Sequence, residues 1–100
     1  DYQKGDYAAA FKEFSADAAE VKRMYVSPQA RKSGLATSIL TELESWAREL
    51  GYARCILETG KKQPEAIGLY RKSGYKQIAN YGQYAGVENS LCFEKIVLER

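Results

Sequence analysis

The sequence predicts a mixed α/β (α+β) domain, with a central, mostly antiparallel sheet, a β-α-β-α-β core and a hairpin at either end. Three features predict it. Leu35, Ala36, Ile39, Leu40, Leu43, Trp46, Ala47 and Leu50 recur at spacings of three and four, the signature of a helix with one buried face. Cys55-Ile56-Leu57 follows as a continuous apolar run, which suits a strand covered on both faces. Pro64 and Gly74 then bracket a second, shorter apolar-sided segment.

The elements follow in order. Residues 1–6 are polar and expected to fray. Residues 7–14 read as a strand in which Tyr7, Phe11 and Phe14 frame small alanines. Ser15-Ala16-Asp17-Ala18 supplies a turn, because Ser and Asp side chains hydrogen-bond nearby backbone. Residues 19–26 form the second strand, and Pro28 ends it, having no N–H for a ladder. The long helix covers residues 35–50, with Glu42, Glu44, Arg48 and Glu49 mostly on its solvent side and Gly51 at the left-handed C′ position. Residues 53–59 are the third strand. The second helix begins at Pro64, turns Ala66, Ile67, Leu69 and Tyr70 inward and stops at Gly74. Residues 75–79 and 91–98 close the sheet as a pair of strands, separated by a long loop carrying Tyr81, Gly82, Tyr84 and Gly86. Strand–helix–strand alternation implies right-handed crossovers onto a partly parallel sheet.

One hundred residues make one domain, spanning 1–100. Hydrophobic residues at 45% and charged residues at 28% are ordinary for a globular chain. A net charge of +2 is too small to point to nucleic acid as the main partner. The absence of histidine excludes His-centred triads and His-ligated metals, and no metal is expected. Cys55 and Cys92 lie too far apart for a zinc knuckle, so a reduced, cytoplasmic chain is the expectation. No apolar run approaches the ~18 residues of a membrane span, and no signal peptide is visible. Asp1 opens the chain without a methionine, as in a processed product or a fragment.

The most informative loop is Arg31-Lys32-Ser33-Gly34-Leu35-Ala36. A helix that starts here aims unpaired N–H groups and its positive dipole end into the loop. Gly34 lets backbone approach a ligand, Ala36 leaves room, and Arg31 and Lys32 add charge. The set suits a phosphate or pyrophosphate. A plain strand–helix turn with a solvated basic pair explains the same residues. Walker A and Gly-x-Gly-x-x-Gly patterns are both absent.

Some thirty residues on comes Gln63-Pro64-Glu65-Ala66-Ile67-Gly68-Leu69-Tyr70, leading through Gly74-Tyr75 into the next strand. The Arg-x-x-Gly-x-Ala loop followed by a helix ending in Leu-Tyr resembles the GNAT superfamily of acyl-CoA-dependent N-acyltransferases, from about Tyr7 onward. The resemblance implies a GNAT-like fold and an acetyltransferase acting on a small-molecule amine, with acetyl-CoA as co-substrate. It implies that Arg31, Lys32, Ser33, Gly34, Leu35 and Ala36 hold the coenzyme A pyrophosphate. Met24, Tyr25 and Val26 are the strand segment along the pantetheine arm, where the backbone of Met24 and Val26 pairs with it and one amide stabilises the oxyanion. Gln63 stands where the family often has an asparagine touching the cofactor. Tyr70 matches the tyrosine proposed to protonate the departing thiolate, and Glu20 a position at which some members place a catalytic glutamate.

The chemistry is consistent with the residues. A neutral amine attacks a thioester directly, so neither histidine nor a nucleophilic cysteine is needed. The amine's ordinary pKa near ~10 calls for a proton acceptor. Glu20 is the first candidate; Glu58 is the second and otherwise binds substrate. Tyr81 and Tyr84, on a long loop beside the expected acceptor cleft, are candidate substrate-binding residues. Each has a plainer reading: solvated strand carboxylates for Glu20 and Glu58, core packing for Tyr70, loop packing for the two tyrosines. Cys55 and Trp46 read as core; Cys92 reads as packing at the acceptor end. Complete members of the superfamily carry a strand and one or two helices ahead of residue 7. Relative to them the domain is N-terminally short, and its exposed sheet edge favours pairing with a second copy. The alternative is a non-catalytic CoA-binding or dimerisation module. A third reading, a nucleotide-phosphate binder, lacks the Walker lysine.

Overall fold

Ser15 and Asp17 make the first reversal in the computed structural model, which describes residues 11–22 and 34–98. Ser15 Oγ donates to Asp17 Oδ1 over 2.8 Å, and the Asp17 carbonyl accepts the N–H groups of Ala53 and Arg54 at 2.9 and 3.0 Å. The turn therefore joins β1 (Phe11–Ser15) to β2 (Ala18–Val21) and also ties them to the start of β3 (Arg54–Gly60). Within the described residues β1 runs one residue further than the sequence suggests and β2 begins one residue earlier, so both close on the turn. Residues 7–10 and 23–26, assigned above to the first two strands, lie outside the described residues.

Between β2 and β3 runs α1 (Leu35–Glu49). Gly51, at φ 90°, ends it in the left-handed conformation that a side chain would resist. After β3 the chain enters α2 (Pro64–Lys72) with Gln63 at its N-cap and Pro64 in its first turn. Then come β4 (Lys76–Ile78), a single 3-10 turn (Gly82–Tyr84) and β5 (Ser90–Ile96). Tyr75 does not open β4: its N–H closes the end of α2 on the Tyr70 carbonyl. Val97 and Leu98 leave β5 because both N–H groups turn onto the Ala53 carbonyl.

The sheet order is β1-β2-β3-β5-β4. Among the described residues only β2 and β3 pair in parallel; the other three pairs are antiparallel. The closing strands do pair, but β5 inserts between β3 and β4. It matches β3 along all seven residues, from Arg54 opposite Ile96 to Gly60 opposite Ser90. Cys92 and Phe93, buried on opposite faces, make β5 a central strand, and the short, exposed β4 becomes the edge.

Two faces result. On the helix face Ala19, Val21, Cys55, Leu57 and Phe93 pack against Leu40, Leu43 and Ala47 of α1 and Tyr70 of α2. Trp46 packs against this cluster but is only partly buried. Glu44 departs from the solvent side assigned to it: it is 4% exposed, accepting from Tyr75 Oη at 2.9 Å and Lys95 Nζ at 2.9 Å. Alternation places Glu20, Ile56, Glu58 and Cys92 on the other face.

Cys55 is wholly buried, and burial, followed by the negative charge of Glu44, pushes its thiol up to about 12 from 9.0. The unfolded thiol loses its proton near pH 9; the folded one keeps it to about pH 12. Its contribution is full below pH 9 and is lost as pH rises, by about 1.4 kcal/mol per pH unit. Urea unfolding between pH 9 and 10.5 is expected to show roughly 2 kcal/mol of this loss. Cys55→Ala should flatten that slope. An unchanged slope would place the loss elsewhere. Tyr75, also raised by burial, adds the same sign of dependence above pH 10.

Candidate functional site

The parallel pairing of β2 with β3 covers only Ala18–Arg54, Ala19–Cys55 and Glu20–Ile56. β3 then continues to Gly60. Among the described residues the sheet thus parts beyond Glu20. Because α1 returns the chain to a parallel strand, its N-terminus lies at this same end of the sheet. So does the N-terminus of α2, which follows β3. Ligands of open α/β sheets enter at such carboxyl ends.

Gly34 caps α1 at φ 82°, with no acidic residue in the first turn and, among the described residues, no side-chain cap and no atom within 4 Å of where a Cβ would stand. Helix geometry leaves the N–H groups of residues 35–37 without intrahelical partners. Ala36 is buried and small. These features suit an anion held on backbone amides. Gln63 is exposed at the head of α2, its carbonyl engaged by the Ile67 N–H. Met24, Tyr25, Val26, Arg31, Lys32 and Ser33 lie outside the described residues.

The opposite face gathers the candidate acceptor residues. A cavity of about 260 Å³ is lined by Lys12, Glu20, Val21, Lys22, Glu58, Gln83 and Tyr84. A neighbouring one of about 180 Å³ shares Lys12, Glu20 and Gln83 and adds Phe14, Tyr81 and Gly82. Glu20 and Glu58 are each 8% exposed. Glu58 sits two residues beyond the register partner of Glu20, roughly 8 Å away at Cα by strand geometry. Tyr81 Oη donates to Glu20 Oε2 at 2.9 Å, and Ser90 Oγ to Glu58 Oε2 at 2.7 Å. Lys12 Nζ reaches only to 3.6 Å from Glu20 Oε1 and is largely solvated, so this pair is weak. Burial first, and then the hydrogen bond to Glu20, hold the Tyr81 phenol well above its ordinary value. Burial also raises the thiol of Cys92, the cross-strand partner of Glu58.

Tyr70 stands apart from these residues, on the helix face. Its ring centroid lies 5.9 Å from that of Tyr75 and 6.1 Å from that of Phe93. The structure therefore brings Glu20, Glu58, Tyr81 and Tyr84 together and puts Tyr70 across the sheet from them. Sequence reasoning missed Lys12, Lys22, Gln83 and Ser90. Alternation along a hairpin could have paired Lys12 with Glu20; nothing local marks Ser90. Among the described residues no cluster of three or more potential ligands could hold a metal, and no helix is long and apolar enough to cross a membrane.

The sequence model of the acetyltransferase (GNAT) family matches residues 6–75. The chain is 41% identical over 76 residues to an IAA acetyltransferase of Azospirillum brasilense, covering 76% of this chain and 50% of that protein. It is 40% identical over 62 residues to the uncharacterized N-acetyltransferase YjgM of Escherichia coli K12, covering 62% and 37%. It resembles a solved Klebsiella pneumoniae chain described provisionally as an acyl-CoA N-acyltransferase, at a TM-score of 0.82 and 32% identity, over 88% of this chain and 61% of that one. PaiA N-acetyltransferase of Thermoplasma acidophilum, solved with coenzyme A, superposes at 0.72 and 23% identity, over 86% and 50%. That second likeness shows the fold alone. The chain spans half or less of the length of these two curated relatives.

Proposed function

The chain belongs to the acetyltransferase (GNAT) family, and from that premise we propose that it moves an acetyl group from acetyl-CoA to a primary amine of a small molecule by direct attack. One observation carries the reading: among the described residues the pairing of β2 with β3 ends at Glu20, with two helix N-termini at that end and a carboxylate-lined cavity on the face away from the helices. A thioester threaded through the gap would present its carbonyl to an amine from one face and its sulfur to a proton donor on the other.

In this reading the amides of Gly34, Leu35 and Ala36, with Arg31, Lys32 and Ser33, hold the pyrophosphate. Met24, Tyr25 and Val26 run along the pantetheine arm, and the N–H of Met24 or of Val26 receives the oxyanion. Gln63 adds a polar contact from α2. Glu20 accepts the amine's proton, directly or through a water, while Glu58, Tyr81 and Tyr84 line the acceptor's path. The new C–N bond forms, the C–S bond breaks, and Tyr70 gives the leaving sulfur its proton. The two free, buried cysteines suit a reducing compartment, so cytoplasm is the proposed location. Pairing with a second copy is proposed through a sheet edge.

Calorimetric titration tests the donor half. Acetyl-CoA should bind at micromolar Kd and ATP far more weakly. Gly34→Val, forced to hold φ near 82°, should weaken acetyl-CoA by at least ~10-fold, about 1.4 kcal/mol. Equal binding of ATP would favour a nucleotide-phosphate binder. Thiol release with 1,4-diaminobutane, tyramine, 2-aminoethanol and glycine methyl ester then tests transfer. Binding without turnover would return the chain to a CoA-binding module.

A further inference from the structure

We propose that Tyr81, besides lining the acceptor's path, is the positioning residue for the Glu20 carboxylate, and that its hydroxyl acts on the rate through Glu20 and not by a hydrogen bond to the acceptor. The inference rests on the reading of Glu20 as proton acceptor. Tyr81 is 61 residues from Glu20 in the chain, yet its hydroxyl donates to Oε2 at 2.9 Å. In sheet order it reaches from the loop before β5, across β3, to β2.

The ring that carries this hydroxyl is fixed on two sides. Phe14 meets it edge-on at 5.1 Å and 71°, and Tyr84 at 5.6 Å and 89°. The loop behind it is closed by Asn80 Nδ2, which donates to the carbonyls of Val87 and Ser90 at 3.0 Å each. Gly82, at φ 51°, lets the loop press against β1: a Cβ there would stand 3.3 Å from the Phe14 ring. The donor is thus rigid and the acceptor is not, because a glutamate has three rotatable bonds to restrain.

The division of oxygens follows. Oε2 is held by Tyr81, and among the described residues Oε1 faces only the solvated Lys12 at 3.6 Å, in a cavity both glutamates line. A proton acceptor must stand within about 3 Å of the proton it takes, and small misplacements cost large factors. A phenol has one O–H to donate, and that of Tyr81 is engaged in the hydrogen bond to Glu20, which argues against a donor role toward the acceptor.

A double-mutant cycle tests this, read as kcat and KM with acetyl-CoA and the fastest amine of the four named above. Tyr81→Phe keeps the ring and removes the hydroxyl; it should lower kcat roughly tenfold with acetyl-CoA Kd unchanged and Tm lower by no more than about 10 °C, the cost of one hydrogen bond to a buried carboxylate. Glu20→Gln should lower kcat at least as far, and adding Tyr81→Phe to it should cost nothing more. Glu20→Asp, which withdraws the carboxylate by one methylene, should fall about as far as Tyr81→Phe and covers the case in which Tyr81→Phe fails to fold. Multiplicative losses in the double variant overturn the proposal, as does a rise in acceptor KM alone or a Glu20→Asp chain as fast as the parent. An inert Glu20→Gln substitution, or no turnover with any of the four amines, removes the underlying reading as well.

Discussion

Tyr70→Phe is expected to lower kcat about 100-fold, close to 2.7 kcal/mol of barrier, while acetyl-CoA affinity stays within ~2-fold. The size follows from losing a positioned proton donor, whose worth is typically two orders of magnitude or more. Location supports the role. Tyr70 is buried on the helix face, whereas Glu20 and Glu58 lie on the other. An amine that attacks from the carboxylate face drives the sulfur away toward the helices, where a phenol could meet it. Phenylalanine keeps the ring contacts to Tyr75 and Phe93, so stability should fall by only about 1 kcal/mol. Thiol release, calorimetry and thermal melting on one preparation separate the outcomes. An unchanged kcat would assign the sulfur's proton to solvent. A loss of kcat that simply follows a large loss of stability would make Tyr70 a packing residue.

The features legible in the sequence were the local ones. Apolar spacing placed α1, and Gly51 and Gly74 marked two helix ends, because each depends on residues a turn or two away. The start of α1 at Gly34 was legible for the same reason. Strand order was not. Nothing near residues 90–96 says that they pair with residues 54–60 before residues 76–78; that choice reflects how well Cys92 and Phe93 fill both faces. Glu44 was assigned to solvent by its charge, yet its partners Tyr75 and Lys95 come from the far half of the chain. The sequence marks Tyr81 as a loop tyrosine, but its link to Glu20, 61 residues away, exists only in the fold. Charged residues are ambiguous in one dimension because the partner that makes burial tolerable is usually distant.

Glu44→Ala is expected to destabilise the fold by about 3–5 kcal/mol, roughly 15–25 °C in Tm for a chain of this length. Two donors lose their acceptor at once: the buried Tyr75 hydroxyl and the Lys95 ammonium. Lys95 also lies 5.9 Å over the Tyr75 ring, and its side chain is about two-thirds covered, so it cannot leave without dismantling that contact. Alanine opens space between α1 and β5 as well. Glu44→Gln keeps one acceptor oxygen and should cost less than half as much. Lys95→Met removes the ammonium but leaves the Tyr75 donor on the carboxylate, and should fall between the two. Together with Arg48 Nε on the Val97 carbonyl at 2.7 Å, this network ties the C-terminal half of α1 to the end of β5. The head of the same helix is the proposed pyrophosphate cradle. Loosening its far half should therefore weaken acetyl-CoA in step with stability, whereas Gly34→Val acts on the cradle directly. A Glu44→Ala chain that melts within ~5 °C of the parent would mean that Lys95 and Tyr75 find water, and that α1 is held by Leu40, Leu43 and Ala47 alone.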